Sequence, residues 1–136
     1  MTLFEPSSGD GARAGRVAEL DLPPRFRVED RPERDVVRVC PVGEVDLATV
    51  DGVRAHIVEL RDAGFTRIVL DLREVTFLAS AGLRLMLEAR RAAQADGWEF
   101  AVIDGSSGVQ RLLDATGLRS MIDFVDPSGR EARRWR

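Results

Sequence analysis

The feature that most constrains this chain is an apolar run that leads, through a short turn, into a helical pattern. The run covers Ile68 to Leu72, and Ser80 stands directly ahead of a strongly apolar helical segment. This order predicts a strand followed by a helix, with Ser80 as the residue that caps the helix. Such a junction lies outside the carboxyl end of the strand, where helix N–H groups favour an added anion such as phosphate.

Strands and helices alternate along the middle of the chain. Residues 25–29 alternate polar and apolar side chains and residues 36–42 form a β-branched run, so the two predict a hairpin. Pro41 cannot donate to a ladder, so it should end the second strand or lie at an unpaired or bulged position. Next we predict a helix that starts at Asp46 or Thr49 and ends at Gly64, with Val50, Val53, Ile57 and Leu60 along one face. The elements predicted after it are a strand at 67–71, a helix at 80–95, a strand at 99–103, a short helix from Ser107 to Gly117 and a strand at 121–125.

This order predicts an α/β fold, with an at least partly parallel sheet and helices packed against it. Residues 67–72 should form the central strand, because Ile68, Val69 and Leu70 leave no solvent face. The helix at 80–95 should bury one face, formed by Gly82, Leu85, Met86, Ala89 and Ala93. Its other side should carry a ladder of opposite charges, formed by Arg84, Glu88 and Arg91.

Composition narrows the class of protein. A chain of 136 residues with 44% apolar and 32% charged content is expected to form one domain around one core. A net charge of −3 argues against nucleic acid as a partner. The single cysteine, Cys40, excludes an internal disulfide and a multi-cysteine metal site, and no segment approaches the ~20 apolar residues of a membrane span. We therefore expect a soluble cytoplasmic protein without membrane contact, metal or cofactor.

The two ends of the chain differ from its middle. Residues 1–24 are rich in Gly, Pro and Ser and predict a disordered N-terminal tail. Residues 25–127 hold the alternating pattern and form the expected domain. Residues 128–136 are basic and end Arg-Arg-Trp-Arg. We expect this C-terminal tail to be solvated, with a docked terminal helix as the alternative.

Four segments together resemble a known family. They are Gly43-Glu-Val-Asp46, Asp71-Leu-Arg-Glu-Val-Thr-Phe-Leu78, the small-Ser-small-Gly-Leu turn of residues 79–83, and Leu112-Leu-Asp-Ala-Thr-Gly-Leu118. This combination resembles the STAS domain of bacterial anti-sigma factor antagonists, over roughly residues 26 to 126. The resemblance implies a mixed sheet with helices packed mainly on one side, and a protein that acts by binding and not as an enzyme.

The resemblance also implies a function in transcription regulation by partner switching. In this family the unphosphorylated protein captures an anti-sigma factor, which is usually itself a serine protein kinase, and so frees the sigma factor. Phosphorylation on a turn serine releases the complex, and a phosphatase resets it. The alternative is a STAS scaffold in a stress-signalling or transport complex that binds partners without being phosphorylated. A monomer or a weak homodimer is expected.

The family's functional positions transfer to this chain one by one. The phospho-acceptor corresponds to Ser80, the turn glycine to Gly82, and the acidic pair before the first helix to Glu44 and Asp46. Ala79 stands where the family commonly has Asp, and Ala81 where it commonly has Ser or Thr, which favours the scaffold alternative. The expected partner-binding surface comprises Glu44, Asp46, Ala79, Ser80, Ala81, Gly82 and Arg84. Five of them, Glu44, Asp46, Ser80, Gly82 and Arg84, should lie together at one edge of the sheet and remain accessible.

Other interpretations of these residues remain open. Ser80 could be a helix cap and nothing more. Asp104-Gly-Ser-Ser-Gly108 offers Ser106 or Ser107 as a second candidate acceptor, with a helix-capping turn as the simpler interpretation. A hydrolase is disfavoured, because Leu78 replaces the first glycine of a nucleophile elbow and His56 precedes the serine. His56 is expected to be a solvated surface residue without a role.

Overall fold

The computed structural model describes residues 22–23 and 25–127, so the two predicted tails lie outside the described residues except for 22 and 23. Six strands and three helices follow one another in the order β1 (Arg27–Glu33), β2 (Val36–Val45), α1 (Val50–Asp62), β3 (Arg67–Asp71), β4 (Val75–Leu78), α2 (Ser80–Asp96), β5 (Glu99–Ile103), α3 (Ser107–Ala115) and β6 (Phe124–Val125), with a 3-10 helix at Leu118–Ser120. The alternation predicted from the sequence is confirmed. The last strand is shorter than predicted, because a 3-10 turn precedes it.

The strands form one mixed sheet in the order β1-β2-β3-β5-β6. Strand β1 is antiparallel to β2, and the other pairs are parallel. Strand β3 is central, as predicted from its unbroken apolar run. Strand β4 lies in the segment predicted as a turn. It pairs with the last residues of β2, Gly43–Val45, beyond the point where β3 stops pairing at Val39. Its four residues are too few for an alternating pattern to stand out in the sequence.

The main core lies between the sheet and the three helices, on one face of the sheet. Val39, Leu70 and Val102 contribute from three neighbouring strands, and each helix adds buried residues. A smaller cluster on the opposite face contains strand residues alone: Val69, Ala101, Ile103 and Val125, with Val36 packed against them. Ile68, Val69 and Leu70 are all at most 3% exposed, which confirms that β3 is covered on both faces. The helices therefore pack mainly on one side.

Pro41 lies inside β2 and does not end it. Its partner in β1 is Val28, and it falls in the gap between the β3 pairing and the β4 pairing. Gly43 donates its N–H to the Glu74 carbonyl (3.1 Å), on the β4 side. Backbone groups two residues apart in a strand point the same way, so the backbone nitrogen of Pro41 also points to the β4 side. Neither β3 nor β4 pairs with β2 at this residue, so the missing N–H leaves no acceptor without a donor. The prediction of an unpaired position is confirmed on that side of the strand.

Helix α1 follows its predicted pattern except at the histidine. Thr49 is the N-cap residue, and Val50, Val53 and Ile57 are buried while Leu60 is partly buried. The prediction that His56 is a solvated surface residue is wrong. Its side chain is 16% exposed, and Nδ1 lies 3.1 Å from the Asp30 carboxylate. Strand β1 packs beside α1 and brings this carboxylate across, a contact that the sequence of the helix alone does not reveal.

Helix α2 buries the predicted apolar face, and Gly97 ends it in the left-handed region at φ 78°. The predicted charge ladder is wrong. Arg84 is exposed and has no ion pair within the described residues, and the Glu88 carboxylate instead accepts from the Arg54 guanidinium of α1 at 3.1 Å. Because α1 packs against α2, Glu88 pairs with Arg54 of α1 instead of with an arginine of its own helix.

A buried carboxylate links neighbouring strands on the face of the sheet opposite the helices. Asp71, at the end of β3, is 4% exposed and accepts from Arg38 Nη1 (3.0 Å) and Arg73 Nη2 (2.7 Å). Burial alone would raise the pKa of Asp71, but the hydrogen bonds and charge of Arg73 and the bond from Arg38 outweigh it and hold the pKa below its usual value. Burial raises the pKa of the neighbouring Cys40 to about 11, so this thiol stays neutral.

The first prediction concerns this carboxylate. Asp71→Asn removes one of the two carboxylates that pair with the largely buried Arg38, which keeps Glu33 at 2.6 Å, and it weakens the bonds to Arg73. The loss of these charge-assisted hydrogen bonds should lower the free energy of unfolding by about 2 kcal/mol at pH 7. A depressed pKa stabilises the fold fully above the ordinary Asp value of about 3.9 and loses that contribution as pH falls below it. Urea unfolding of both proteins from neutral to acid pH should show the gap closing below about pH 4. A gap that widens toward acid pH would contradict this account.

Candidate functional site

The predicted site lies where β2 and β4 end side by side. Val45 is the register partner of Leu78, and the Ala79 N–H donates to the Val45 carbonyl at 2.9 Å. Asp46 and Ser80 therefore leave the sheet from adjacent strand ends, at the same edge. Arg84 follows Ser80 by four residues on α2, one turn further along the same helical face. The strand ends thus bring Asp46 and Ser80 together, with Glu44 two residues before Asp46 and Arg84 one helical turn after Ser80. A role of these residues in partner binding stays a prediction.

Ser80 is not the helix cap. Ala79 holds the N-cap position with an extended backbone (φ −89°, ψ 173°), and Ser80 is the first helical residue. The prediction that Ser80 caps the helix is wrong by one position, because the backbone already turns helical at Ser80. Its side chain is exposed, and its hydroxyl makes no hydrogen bond to the described part of the chain. A helix end without a side-chain cap thus carries an unengaged hydroxyl.

Gly82 allows α2 to begin close to the strands. A Cβ at this position would lie 2.4 Å from Leu78 Cδ1 and 3.0 Å from Val45 Cγ1. Gly82 is buried, and Ala81 beside it is 7% exposed. The expectation that Gly82 stays accessible is therefore wrong. Both residues face the core, and their small size sets how near the Ser80 turn lies to the strand ends.

The loop from β2 to α1 is held by Thr49, which is one of the two predicted N-cap residues of α1 and also makes loop contacts that the sequence does not predict. Its hydroxyl donates to the Glu44 carbonyl (2.7 Å) and accepts from the Asp46 N–H (2.9 Å), and the residue is 2% exposed. The Asp46 carboxylate accepts from the Ala48 N–H at 2.9 Å, so it shapes the turn. Glu44 is exposed, and its carboxylate has no partner within the described residues. Of the acidic pair, Glu44 is the freer charge.

Two exposed apolar side chains flank the site. Leu47 is 79% exposed in the loop after Asp46, and Phe77 is 54% exposed on β4. Phe77 is the register partner of Glu44, so the two side chains stand next to each other. The available signal was a large apolar residue at two places: Phe77 in the segment predicted as a turn, and Leu47 between the two predicted helix starts, Asp46 and Thr49. We call this surface the docking edge and define it by Glu44, Leu47, Phe77, Ser80 and Arg84.

The second candidate acceptor is part of a helix cap. Ser106 is the N-cap of α3, and its Oγ accepts from the Val109 N–H at 3.4 Å. The simpler interpretation of Asp104-Gly-Ser-Ser-Gly108 is therefore confirmed for Ser106. Ser107 is the first residue of α3 and is exposed.

Within residues 22–23 and 25–127, no group of three or more His, Cys, Asp or Glu side chains is placed to hold a metal ion. Over the same part of the chain, no helix combines the length and apolarity needed to cross a membrane.

The fold is a single mixed sheet with three helices, and comparison with known proteins gives its family. The STAS domain family matches residues 28–132. An anti-sigma F factor antagonist of Paenibacillus polymyxa is 34% identical over 102 residues, which cover 74% of this chain and 87% of that protein. An anti-sigma-B factor antagonist of Staphylococcus epidermidis is 26% identical over 97 residues, 71% of this chain and 90% of that protein. The chain belongs to the STAS domain family.

Solved structures agree on the fold. An anti-sigma factor antagonist from Mycobacterium paratuberculosis superposes with a TM-score of 0.64 at 24% identity, covering 76% of this chain and 89% of that one. The anti-sigma factor antagonist SpoIIAA, in its unphosphorylated form, superposes with a TM-score of 0.60 at 25% identity, covering 74% of this chain and 86% of that one. The mixed sheet and helix arrangement described above is the STAS fold, and the names of the relatives support a role as an anti-sigma factor antagonist.

The second prediction tests the close approach at Gly82. Gly82→Ala should lower the free energy of unfolding by about 1 to 3 kcal/mol, because the added methyl group overpacks against buried Leu78 and Val45. Gly108→Ala is the matched control, since a Cβ there has no neighbour nearer than 3.9 Å. Removing a helical glycine should make that variant as stable as the wild type or up to about 1 kcal/mol more stable. Equal destabilisation in both variants on urea unfolding would refute the packing argument.

Proposed function

We propose that this chain is an anti-sigma factor antagonist that binds its anti-sigma factor through the docking edge and is switched off by phosphorylation of Ser80. The observation that carries the proposal is the exposed Ser80 hydroxyl, which makes no hydrogen bond to the described residues and lies beside two exposed apolar side chains. The named relatives supply the class of partner: an anti-sigma F factor antagonist, an anti-sigma-B factor antagonist and the structural neighbour SpoIIAA. In this account the anti-sigma factor is also the serine kinase, and a phosphatase resets the switch.

The composition of the docking edge suits a protein partner. Leu47 and Phe77 expose apolar area that a monomer gains nothing by leaving in water, and such area marks protein-binding surfaces. Glu44 and Arg84 carry opposite charges at its margins, and neither forms an ion pair with residues 22–23 or 25–127, so both can pair with a partner. An apolar centre with a charged rim is the common anatomy of a specific interface.

Phosphate at Ser80 would be tolerated by the fold. It would sit at the first position of α2, where the helix dipole stabilises an anion by up to about 2 kcal/mol. Arg84, four residues on and without an ion pair in the described residues, is placed to bond it along the helix. The cost of the modification should therefore fall on binding and leave folding intact.

The same phosphate would oppose docking. A partner surface that fits a neutral hydroxyl would meet roughly −1.5 to −2 units of charge, close to the free carboxylate of Glu44. Arg84 can offset at most one unit of this charge. The remaining charge, buried in an interface without a partner, commonly costs about 3 to 5 kcal/mol, which is a loss of two orders of magnitude or more in affinity. The switch is then electrostatic: one added group removes affinity without unfolding the protein.

The departures at Ala79 and Ala81 leave the acceptor geometry intact. The turn is positioned by backbone atoms, because the Ala79 N–H donates to Val45 and the Ala79 carbonyl accepts from Gly82 (2.9 Å) and Leu83 (3.3 Å). Ala81 is buried, so a hydroxyl at that position would face the core more than a partner. The position of Ser80 therefore depends on backbone hydrogen bonds and does not require polar side chains at residues 79 and 81.

The third prediction tests the switch by binding. Ser80→Asp should bind the anti-sigma factor about 100-fold more weakly than wild type, and Ser80→Ala should bind about as well, because only the first adds charge to the interface. Ser107→Asp is the matched control, since Ser107 is also the exposed first residue of a helix. Calorimetric titration should show it unchanged, and melting curves should show all variants folded.

Equal affinities for wild type and Ser80→Asp in that titration would support the scaffold alternative instead. Failure of every variant to bind any anti-sigma factor, with all of them folded, would exclude the proposed partner class.

The fourth prediction tests the apolar part of the docking edge. Phe77→Ala should weaken binding by at least about 2 kcal/mol, roughly 30-fold, because exposed aromatic residues at interface centres carry much of the affinity. Its stability should change little, since the side chain is largely exposed. Met121→Ala is the control, as Met121 is 44% exposed beyond the 3-10 helix and outside the docking edge. Similar losses for both variants would show that Phe77 has no special role.

A further inference from the structure

Strand β1 presents an edge without a partner within the described residues. It is the first strand in the sheet order and pairs on one side alone, with β2. Pro41 and Gly43 direct their backbone groups toward β4, so Val28, opposite Pro41, directs its own away from β2. By the same alternation, the backbone groups of Val28, Asp30 and Pro32 all face the open edge.

The side chains on β1 carry an alternating row of charge. Val28 packs against the main core and Asp30 contacts His56, so the even-numbered residues face the helices. The odd-numbered residues therefore lie on the opposite face, and they are Arg27, Glu29, Arg31 and Glu33. Five of the seven β1 residues are exposed, and Val28 and Glu29 are the two that are partly covered. A strand with alternating charges and an open backbone is a surface that a strand of complementary charge would fit.

We propose that two copies of this chain associate by antiparallel pairing of their β1 strands, centred on Asp30. In this register Arg27 of one copy faces Glu33 of the other, and Glu29 faces Arg31. The two-fold symmetry repeats both pairs, so four cross-strand pairs of opposite charge form. The two sheets join into one, and the interface is separate from the residues of the docking edge.

The charge row selects this register over its neighbours. A shift that keeps the backbone pairing moves one strand by two residues along the other. Shifting in one direction places Arg27 opposite Arg31 and Glu29 opposite Glu29. Shifting in the other direction places Glu29 opposite Glu33 and Arg31 opposite Arg31. Like charges directly opposite each other are destabilising, so these alternatives are disfavoured.

The backbone fits the same register. Asp30 and its symmetry mate can exchange two N–H···O=C bonds, and the Val28 N–H of each copy can donate to the Pro32 carbonyl of the other. Pro32 has no N–H, so the contact gains four backbone bonds where a strand without proline would gain six. The two Asp30 carboxylates oppose one another on the helix side. The result is a weak, reversible dimer.

Two charge reversals test the pairing. Glu29→Arg and Arg31→Glu each turn two of the four attractive pairs into repulsive ones, so each variant alone should dimerise at least about tenfold more weakly than wild type. Mixed in equal amounts, the two variants should form a heterodimer about as strong as the wild-type dimer, because every cross-strand pair is attractive again. Sedimentation velocity measures the dimer fraction of each sample. Concentrations up to about 1 mM are used, because even a dimer with a dissociation constant of about 1 mM is then substantially formed.

Matched controls carry the same charge changes elsewhere. Asp96→Arg and Arg91→Glu lie at exposed positions of α2 and should dimerise as wild type does. Amide exchange gives an independent readout: the N–H groups of Val28 and Asp30 should become more protected as protein concentration rises. A wild type that stays monomeric throughout, a mixture that fails to associate, or protection that is independent of concentration would overturn the proposal. The last result would mean that another segment of the same chain covers the edge.

Discussion

The docking edge depends on the pairing of β4 with the end of β2. Strand β3 stops pairing with β2 at Val39, and β4 takes its place from Gly43 onward. This substitution brings Leu78 beside Val45, and Gly82 then lets α2 begin directly over the pair. Without the short strand, the Ser80 turn would have no fixed position relative to the acidic loop. A four-residue strand thus sets the geometry of a surface that spans two loops.

Much of the fold follows from periodicity in the sequence. The unbroken apolar run of β3 identified the central strand, and the i, i+3, i+7 pattern of α1 and the small-residue face of α2 identified which sides are buried. What periodicity could not give were the contacts between elements. The His56 contact with Asp30 and the Glu88 contact with Arg54 both depend on how α1 packs against its neighbours, and so does the absence of a charge ladder on α2.

The site was predicted in part for the same reason. Family resemblance located Ser80 and the acidic residues, and the strand register placed them together. The sequence did not reveal that Ala79 is the cap, because a one-residue shift in the start of a helix depends on backbone angles. Nor did it reveal the exposure of Leu47 and Phe77, since apolar residues in short segments are usually buried. With the cap at Ala79, the Ser80 hydroxyl makes no hydrogen bond within the described part of the chain, which supports the proposal that it is modified.

The central claim is that Ser80 is a phosphorylation switch, and intact-mass measurement of the protein from its own host tests it most directly. We expect part of the wild-type protein to carry the mass of one phosphate group, located by fragmentation to Ser80, and Ser80→Ala to carry none. The phosphorylated share should change with growth conditions, because the switch must respond to a stimulus. Wild type without phosphate under every condition, or with phosphate at another residue such as Ser107, would contradict the account.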